Sequence, residues 1–590
     1  MIVRMKKVSL FVGTKHRIGA LQKLRELGVL HVRPVRPPES EDIDQLRTEA
    51  ELLEKALSIL PPSAGTLKTG HPAGAESAVS RILDIARRRE SVVSQLTEKK
   101  SIRDWYGAWG DFSWSTIQAL GRAGITIRLY LLDRAALKAL PKDRLVAVVG
   151  RSGGSYRVAM IAESPEDRLD FKEEIIPPVE AAGLESDIYD LESEIASLES
   201  EMAGLSHERP SLEARRKLLK KKIEFSSVLS GMGAEDGIEY IQGFCPHDAV
   251  LGLENAAERE GWGTVIEDPD DPAEVPTLIR NPKWIRIIDP LIKFMGTVPG
   301  YGEKDISPWF LLFFTLFFAM LIGDAGYGLV FLALTRIAQK KAGEKAPQEF
   351  FRLLYLVSAA TVAWGAATGT WFSIPQISRL PFFRNLVIPQ LDGSVRDNSG
   401  FMMYLCFIIA VAQLTLAHVL NALKTLNSPR ALAELGWIFI LWPVFFLAGH
   451  LILDKSMPGF AAPMFIAGAA LALLFSNFQK NVLKGMLTTL TSLPFSILGS
   501  FSDTVSYLRL YAVGIAGVTV SASFNSMLLG SMDNVAKGVL AGVFLLLAHA
   551  LNIVLGCMSV LVHGVRLNLL EFSGHLGMSW TGRPYKPFRE

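Results

Sequence analysis

The chain has 590 residues, of which 49% are hydrophobic and 20% are charged, and its 61 basic side chains nearly balance 59 acidic ones. This length is sufficient for several domains, and the balanced charge does not favour nucleic-acid binding, which would require a basic excess. Because Cys245, Cys406 and Cys557 are far apart in the sequence, no disulfide framework and no zinc site is predicted.

Composition also divides the chain into two halves. Residues 1–307 are rich in Glu, Lys and Arg, whereas 308–570 consists of long apolar runs with few charges. About 20 apolar residues span a bilayer, so several such runs predict that the second half is embedded in a membrane. The apolar stretch at the N-terminus is too short for a signal peptide, and we therefore expect the first half to stay in the cytoplasm.

Two α/β lobes are predicted in the first half. Short apolar runs at 8–13 and 29–32 are typical of strands, and the residues between them, 15–27, have the pattern of a helix. Residues 238–267 repeat this strand, helix and strand order, and 125–161 contains three further predicted strands. We interpret both lobes as scaffolds rather than as sites.

Charged helical stretches at 41–60, 77–105 and 167–229 lie between the lobes. In the third stretch, apolar residues follow one another at spacings of 3, 4, 3, 4 and 3, which is the pattern of a coiled coil: Ile188, Leu191, Ile195, Leu198, Met202 and Leu205. We predict an antiparallel coiled-coil shaft that joins the lobes as a dumbbell. The predicted cytoplasmic domain, 1–300, consists of a proximal lobe (1–35 plus 236–275), shaft helices (41–105 and 167–229) and a distal lobe (105–165). It is followed by a predicted membrane domain, 308–572, and a cytoplasmic tail, 573–590.

The first half carries no motif for nucleotide chemistry. It has no G-x-x-x-x-G-K-[ST] sequence, so this chain is not expected to hydrolyse ATP, and no cofactor or metal is predicted. The glycine-rich run at 151–155 is interpreted as a hairpin turn. The basic run at 215–222 is interpreted as a solvated helix face.

The first apolar segment of the second half, 308–337, is too long for one helix across a hydrocarbon core of ~30 Å. Its centre contains Gly323, Asp324, Gly326 and Gly328, so we predict a hairpin turn at Gly323–Asp324. The predicted spans are then 308–322, 325–340, 350–372, 400–423, 434–453, 460–478, 502–529 and 538–570. The predicted fold class is mixed, with N-terminal cytoplasmic α/β lobes on a coiled-coil shaft followed by an all-α polytopic membrane domain of about eight helices.

The distribution of basic residues supports this topology. With both termini in the cytoplasm, twelve Lys and Arg residues flank the spans on the inside and five on the outside, as the positive-inside rule requires. Without the hairpin, the assignment inverts from the second segment onward and the rule is violated. Residues 482–500, which contain Pro494 and several Ser and Thr, are interpreted as an interfacial or re-entrant segment.

Two arginines stand inside predicted spans, Arg509 in 502–529 and Arg566 in 538–570. A charge on a membrane helix costs a few kcal/mol or more and marks an ion path or a bound counter-charge. Snorkelling from a helix end is the alternative, since Arg566 lies within two turns of the predicted cytoplasmic end.

Polar and small residues accompany both arginines at helical spacing. A polar face toward lipid is costly, so each face must contact protein or water. The face on the last span consists of His549, Asn552, Gly556, Ser559, His563 and Arg566, and that on the preceding span of Ser502, Ser506, Arg509, Val513, Gly517, Ser521 and Asn525. The two spans run antiparallel and place the arginines at similar depth, so both can act on one partner.

An arginine stays charged at any working pH, so it cannot relay a proton, but it favours the ionised form of a nearby carboxylate. The membrane half offers few deep carboxylates, and Asp503, Asp324 and Glu571 all lie near the ends of segments. We therefore predict that the carboxylate opposite the arginines belongs to another subunit.

These residues resemble a known family, the a/I subunit of V-type and archaeal-type rotary ATPases. The resemblance rests on GDAGYG at 323–328, SDTVSYLRLYAVGIAG at 502–517 and VHGVRLNLLEF at 562–572, and the domain order is similar over essentially the whole chain. It implies a non-catalytic stator subunit that translocates ions. Arg509 and Arg566 would face a rotating proteolipid c-ring and separate two aqueous half-channels, and His563 and Glu571 would flank the second arginine.

The resemblance also implies a set of partners and a location. The family commonly has an acidic residue ten positions before the second arginine, where this chain has Gly556, so His549 and Asn552 are the candidates to line the outer half-channel. The implied partners are the c-ring, peripheral-stalk subunits of the E/G type, a ring adaptor of the central stalk and membrane lipids, in a bacterial or archaeal plasma membrane. The candidate ion-translocation residues are Ser502, Asp503, Ser506, Arg509, Ser521, Asn525, His549, Asn552, Ser559, His563, Arg566 and Glu571.

Two other functions are compatible with a polytopic chain. A secondary transporter with a cytoplasmic regulatory domain should show repeat symmetry between its membrane halves, which this sequence lacks. A structural anchor without an ion path would not need the polar faces. Helix–helix hydrogen bonding is the alternative role for His549 and His563, and His418 with Gln413 is interpreted as packing.

Overall fold

The computed structural model describes all residues except 63–73, 111, 141–143, 163, 165, 344–346, 393–397, 478–481, 530–534 and 590. Three basic residues counted for the topology, Lys345, Arg396 and Lys480, lie outside the described residues. The strands are β1 Met5–Gly13, β2 His31–Arg33, β3 Thr126–Asp133, β4 Leu145–Ser152, β5 Ser155–Ala162, β6 Glu173–Glu174, β7 Gly233–Glu235, β8 Ile238–Pro246 and β9 Gly263–Glu267.

The helices of the first half lie within and between the predicted lobes. They are α1 Arg17–Leu27, α2 Glu41–Ile59, α3 Ala75–Trp109, α4 Trp114–Arg122, α5 Arg134–Lys138, α6 Leu184–Gly204, α7 Arg209–Ser230, α8 Val250–Glu260 and α9 Asp289–Met295. Those of the second half are α10 Ser307–Ile322, α11 Ala325–Ala342, α12 Gln348–Ala367, α13 Pro375–Ser378, α14 Pro381–Arg384, α15 Ser399–Lys424, α16 Arg430–Leu453, α17 Ala461–Phe475, α18 Val482–Ser506, α19 Leu508–Leu529, α20 Val535–Ser559 and α21 Ser573–His575.

The described chain divides into two compact units, of which the second comprises Phe11–Lys23 and Pro34–Ile241. It contains a sheet of order β4-β5-β3-β6 in which neighbouring strands are antiparallel. Gly153 and Gly154 form the turn between β4 and β5, so the glycine-rich run is the hairpin turn that the sequence predicted. The sheet is held by a small core around Tyr130, which is fully buried.

Long helices of this second unit pack in antiparallel pairs. Ion pairs join α3 to α6 in opposite sequence order, with N···O distances of 2.6–2.7 Å: Arg81 to Glu201, Arg88 to Glu194 and Lys99 to Asp187. The residues predicted at 3 and 4 spacing along and just after α6 are buried or partly buried, and all except Ile188 belong to the core of this helix group. Apolar periodicity therefore identified the packed face of α6, because burial follows the helical repeat.

The first unit comprises Met1–Leu10, Leu24–Arg33 and Gln242–Arg589. Its sheet has the order β2-β8-β1-β9, so a strand from the 238–267 region lies between the two strands of the N-terminal region. β2 is antiparallel to β8, with His31 opposite Phe244. The two distant segments predicted to form one lobe thus contribute to a single sheet.

The C-terminal tail, defined here as residues 577–589, lies along the first unit's N-terminal segment. The backbone N–H of Lys586 donates to His31 Nδ1 at 3.0 Å, and the N–H of Phe588 donates to the carbonyl oxygen of Leu30 at 2.8 Å. The Phe588 side chain is 2% exposed. Backbone hydrogen bonds and a buried aromatic ring therefore fix the end of the chain.

Among the described residues, five helical stretches are long and apolar enough to cross a membrane: Gln348–Ala367, Ser399–Lys424, Arg430–Leu453, Gly485–Leu528 and Gly538–His575. A further pair, α10 and α11, passes the same test together but bends by 118° at Gly323 and Asp324, where the sequence predicted a turn. The helix α17 is apolar but shorter. The count of eight spans stays a prediction.

The structure shows no break at the predicted boundary between the segment 482–500 and the span that begins at 502. Residues 485–528 form one helical stretch that is interrupted only at Tyr507, and the interfacial position of 482–500 stays a prediction. Pro494 lies inside α18 without ending it, since neighbouring groups can compensate for a proline in a membrane helix. A stretch of this length measures ~66 Å, about twice the ~30 Å hydrocarbon core, so it must tilt strongly or extend beyond the core.

Candidate functional site

Both membrane arginines converge on the carboxylate of Glu571. Arg566 Nε lies 3.5 Å from Glu571 Oε1, Ser506 Oγ donates to the same oxygen at 2.9 Å, and Arg509 Nη2 donates to Ser506 Oγ at 2.8 Å. The Glu571 side chain is 4% exposed, whereas that of Arg566 is 52% exposed. We call these four residues the arginine cluster.

Two polar atoms of the arginine cluster lack a partner. Arg509 Nη1 and Glu571 Oε2 are buried and have no hydrogen-bond partner among the described residues. Leaving such a group unsatisfied costs ~1–3 kcal/mol, and more when it is charged. The cluster therefore combines two guanidinium groups and one carboxylate with an unused buried donor.

The backbone around Arg566 is not an α-helix. Val560–Gly564 and Leu567–Phe572 form π-helical turns, with Arg566 between them. Wider turns of this kind change the angle at which later side chains project, and they occur frequently at functional sites. The α-helical spacing that predicted one continuous polar face on the last span therefore does not apply to the residues after Ser559. Both Ser559 and His563 are half-buried.

A second polar cluster centres on Tyr327, and we call it the tyrosine cluster. Tyr327 Oη lies 2.7 Å from Ser521 Oγ and 2.7 Å from His549 Nδ1, and Asn552 Nδ2 donates to Tyr327 Oη at 3.1 Å. His549 Nε2 lies 3.1 Å from Asn525 Oδ1. Three predicted site residues thus meet at a tyrosine that the sequence analysis did not select, and Asn525 joins them through His549. Its position inside the GDAGYG motif was the signal that could have identified it.

Asn525 fixes the protonation pattern of His549. Its Nδ2 donates to the carbonyl oxygens of Phe372 and Ser373 at 2.8 and 3.2 Å, which leaves its Oδ1 as an acceptor. His549 Nε2 must then carry the hydrogen, and in the neutral imidazole Nδ1 accepts from the Tyr327 hydroxyl. The histidine therefore bonds helices through both ring nitrogens.

Asp324 holds the loop that faces this cluster. It is 1% exposed, caps α11 by accepting from Tyr327 N, and accepts from the backbone N–H groups of Phe372 and Ser373 at 2.9 Å each. Phe372 and Ser373 have φ angles of 51° and 53°, which non-glycine residues seldom adopt. The predicted turn residue Gly323 also has a positive φ, of 67°. Asp324 therefore acts as a structural anchor.

Apolar residues at the end of α10 separate the two clusters along α19 and α20. A Cβ atom on Gly556 would lie 2.9 Å from Ile322 Cδ1, and one on Gly514 would lie 2.6 Å from the carbonyl oxygen of Met320. We call the segment 320–322 with these two glycines the apolar block. A larger side chain at Gly556 would require the end of the Ile322 side chain to shift.

A third group of polar residues, the histidine relay, consists of four ionisable side chains in a row. His418 Nδ1 lies 2.6 Å from Glu434 Oε2, His418 Nε2 lies 3.0 Å from His575 Nδ1, and His575 Nε2 lies 3.1 Å from Asp503 Oδ2. The imidazoles are 7% and 10% exposed, and the Glu434 and Asp503 side chains are 24% and 36% exposed. Both ends are therefore more open than the middle.

Gln413 and His418 are both buried and hydrogen-bonded to other helices, but they belong to different groups of contacts. Gln413 is fully buried, accepts from Tyr507 Oη at 2.8 Å and donates to Asn568 Oδ1 at 3.0 Å. Of the four relay residues, the sequence analysis selected only Asp503 as a site residue, because its partners lie on other helices.

The remaining candidate site residue, Ser502, is exposed. No group of His, Cys, Asp and Glu suited to a metal is found in the described part of the chain.

Comparisons with known proteins give a consistent result. No family model matches the chain. Two bacterial proteins match over 100% of both chains: V-type ATP synthase subunit I 1 of Treponema pallidum (strain Nichols), 31% identical over 623 residues, and V-type ATP synthase subunit I of Borreliella burgdorferi, 30% identical over 617 residues.

More distant likenesses are partial. A-type ATP synthase subunit I of Methanocaldococcus jannaschii is 26% identical over 400 residues, which cover 61% of this chain and 56% of that protein. A crystal structure of the cytoplasmic N-terminal domain of subunit I of V-ATPase, covering 44% of this chain and 99% of that one, has a TM-score of 0.24 at 15% identity. On the two full-length matches, this chain belongs to the subunit I family of V-type and A-type ATP synthases.

Proposed function

We propose that this chain is the stationary, ion-translocating membrane subunit of a rotary ATP synthase, with no nucleotide site of its own. In this proposal, ions cross through two aqueous half-channels that meet at a rotating proteolipid ring. The arginine cluster faces the ring and prevents a direct leak between the half-channels. The observation that carries the proposal is the buried Arg509 Nη1, which has no acceptor among the described residues.

The charge of the arginine cluster supports a partner carboxylate. Arg509 and Arg566 carry two positive charges at any working pH, and Glu571 supplies at most one negative charge. An unpaired cation in a low-dielectric region attracts an ionised carboxylate strongly. A carboxylate on a ring subunit would satisfy Arg509 Nη1 as it passes and would lose its proton there.

The separation of the polar clusters supports two half-channels. The tyrosine cluster lies on one side of the apolar block and the arginine cluster on the other, as judged by their order along α19 and α20. Apolar packing without polar groups excludes water. An ion would therefore have to leave this chain and travel with the ring to pass from one side to the other.

The histidine relay supports a proton as the transported ion. Three hydrogen bonds join its four side chains, and each bond needs one hydrogen. Two neutral imidazoles supply two of the three hydrogens, so the three bonds leave a place for one additional proton. Because its exposed ends are Glu434 and Asp503, a proton taken up at one end can be released at the other. We assign the relay to the cytoplasmic half-channel, whose lining would also include Ser502.

The cytoplasmic half would supply the mechanical resistance. The antiparallel pairing of α3 and α6 is held by ion pairs and by a continuous apolar core. We infer that these helices act as a coiled-coil shaft that anchors E/G-type peripheral-stalk subunits. A ring adaptor of the central stalk would contact the same half. Torque on the membrane part requires such an anchor, because otherwise the subunit would turn with the ring.

Replacing Arg509 in the assembled complex tests the proposal. Arg509→Ala should abolish ATP-driven ion uptake into vesicles while the complex still assembles, and Arg509→Lys should restore little, since an ammonium group lacks the two-pronged geometry of a guanidinium. Arg336→Ala, an exposed arginine on α11, is the matched control. Ion uptake by Arg509→Ala at the wild-type rate would overturn the proposal. Ion uptake by this chain alone, without the ATPase subunits, would favour a secondary transporter.

A further inference from the structure

An apolar groove of about 620 Å³ lies between α10 and α12, away from the three polar clusters. Residues within 308–319 and 356–367 form its two walls. Trp284 lies at one end of the groove, and Ile388 and Leu391 lie at the other end. Each wall covers 11 residue steps, or about 17 Å of helix. This length is close to the ~15 Å thickness of one leaflet, half of the ~30 Å hydrocarbon core.

Exposed basic side chains stand beside the Trp284 end of the groove. Lys283 and Arg286 flank Trp284 in sequence, and Arg352 lies one helical turn before Leu356 on the same face of α12. All three basic residues are exposed, and none forms an ion pair within the described part of the chain. The short helix Arg286–Ile288 packs against both α10 and α12, so these charges stand beside the groove.

Trp284 occupies the position of an interfacial residue. Its side chain is 62% exposed although it forms part of an apolar groove. Tryptophan is enriched where hydrocarbon meets headgroups, because the ring is apolar and its N–H is polar. Basic residues beside such a position attract anionic lipids. The groove therefore has an apolar part of acyl-chain length and a cationic rim at headgroup level.

We propose that this groove binds one acyl chain of an anionic phospholipid, with the headgroup held by Lys283, Arg286 and Arg352. The lipid comes from the leaflet on the Trp284 side, where three exposed basic side chains accompany an exposed tryptophan. The bound lipid fills the gap between α10 and α12. It thereby stabilises the first helix of the bent pair, whose end forms the apolar block.

Fluorescence of Trp284 measures this binding directly. The complex is reconstituted into vesicles that contain brominated phosphatidylglycerol or brominated phosphatidylcholine over the same series of mole fractions. The Trp284 signal is the difference between the wild type and Trp284→Phe. Brominated phosphatidylglycerol should quench this signal at a mole fraction at least tenfold lower than brominated phosphatidylcholine. Equal quenching by the two lipids, or quenching by neither, would overturn the proposal.

Two variants separate the headgroup from the acyl chain. The triple variant Lys283→Gln, Arg286→Gln and Arg352→Gln should lose the preference for phosphatidylglycerol, whereas the control Lys340→Gln with Lys341→Gln, exposed residues on α11 outside the groove, should keep it. Filling the groove with Ala363→Phe should reduce quenching by both lipids. Unchanged quenching in the triple variant or in Ala363→Phe would show that the lipid does not occupy this site.

Discussion

The arginine cluster shows how a single chain can hold two charges where charge is costly. Glu571 compensates Arg566 directly and Arg509 through the hydroxyl group of Ser506. One carboxylate between two guanidinium groups leaves a net positive charge. A fully neutralised cluster would have no reason to attract a further carboxylate, so the imbalance itself suits the proposed function.

Glu571→Gln tests this balance. Glutamine keeps a hydrogen-bond acceptor for Ser506 but removes the charge that compensates Arg566, so we expect ATP-driven ion uptake to fall roughly tenfold. ATP hydrolysis by the same preparation reports whether the complex remains assembled, and Glu571→Asp, which keeps the charge, should retain more uptake. Uptake by Glu571→Gln at the wild-type rate would contradict a role for this carboxylate.

At the scale of elements, the fold joins segments that are far apart in sequence. β8 lies between β1 and β2, and the C-terminal tail pairs with residues of the N-terminal segment. The chain that follows the last membrane helix is thereby held to the N-terminal lobe through the tail. Movement of that helix would have to break the tail contacts.

The tail contact at His31 should depend on pH. Burial, helped by the charges of Lys586 and Arg583, lowers the pKa of His31 below its ordinary value. In the neutral form His31 Nδ1 accepts from the Lys586 N–H, and a protonated ring could not. Because the undocked tail restores the ordinary pKa of ~6.5, docking is fully stable above that pH and weakens as the pH falls below it.

Hydrogen–deuterium exchange of residues 577–589 measures this effect. After correction for intrinsic rates, exchange should be faster at a pH one unit below the ~6.5 reference value than one unit above it. His31→Gln should remove the difference, since the amide oxygen accepts at any pH, and His16→Gln, an exposed histidine, should retain it. Identical pH profiles for the wild type and His31→Gln would refute the expected dependence.

At the scale of the whole molecule, the proposed ion path depends on residues from many helices. The histidine relay alone draws on α15, α16, α18 and α21. Each of these helices contributes one ionisable group, and no two of the four residues are adjacent in sequence. Correct assembly of the helices is therefore a condition for the relay to exist.

His418→Gln tests the relay in the assembled complex. Glutamine can form hydrogen bonds but cannot pass a proton, so proton uptake driven by ATP should fall at least about tenfold. His450→Gln is the matched control, because His450 is exposed and contacts only the carbonyl oxygen of Lys455 among its described hydrogen bonds. Equal rates for the two variants would exclude the relay from the proton path.

Local patterns determined much of the fold. Hydropathy and glycine content predicted the break at Gly323–Asp324, and apolar periodicity predicted the strands of both lobes and the packed face of α6. The cost of charge in a membrane selected Arg509 and Arg566 before any contact was known. These features are local because helix breaks, strand formation and hydropathy depend on neighbouring residues.

Only the tertiary structure decided which residues meet. Ser506 and Glu571 are 65 positions apart, Tyr327 and His549 are 222 apart, and His31 and Lys586 are 555 apart. The π-helical turns beside Arg566 likewise changed the phase of a face that α-helical spacing had predicted. Such contacts arise from the packing of whole helices, whose relative rotation and depth no short stretch of sequence encodes. The sequence therefore identified the charged residues of this membrane protein, and packing determined their partners.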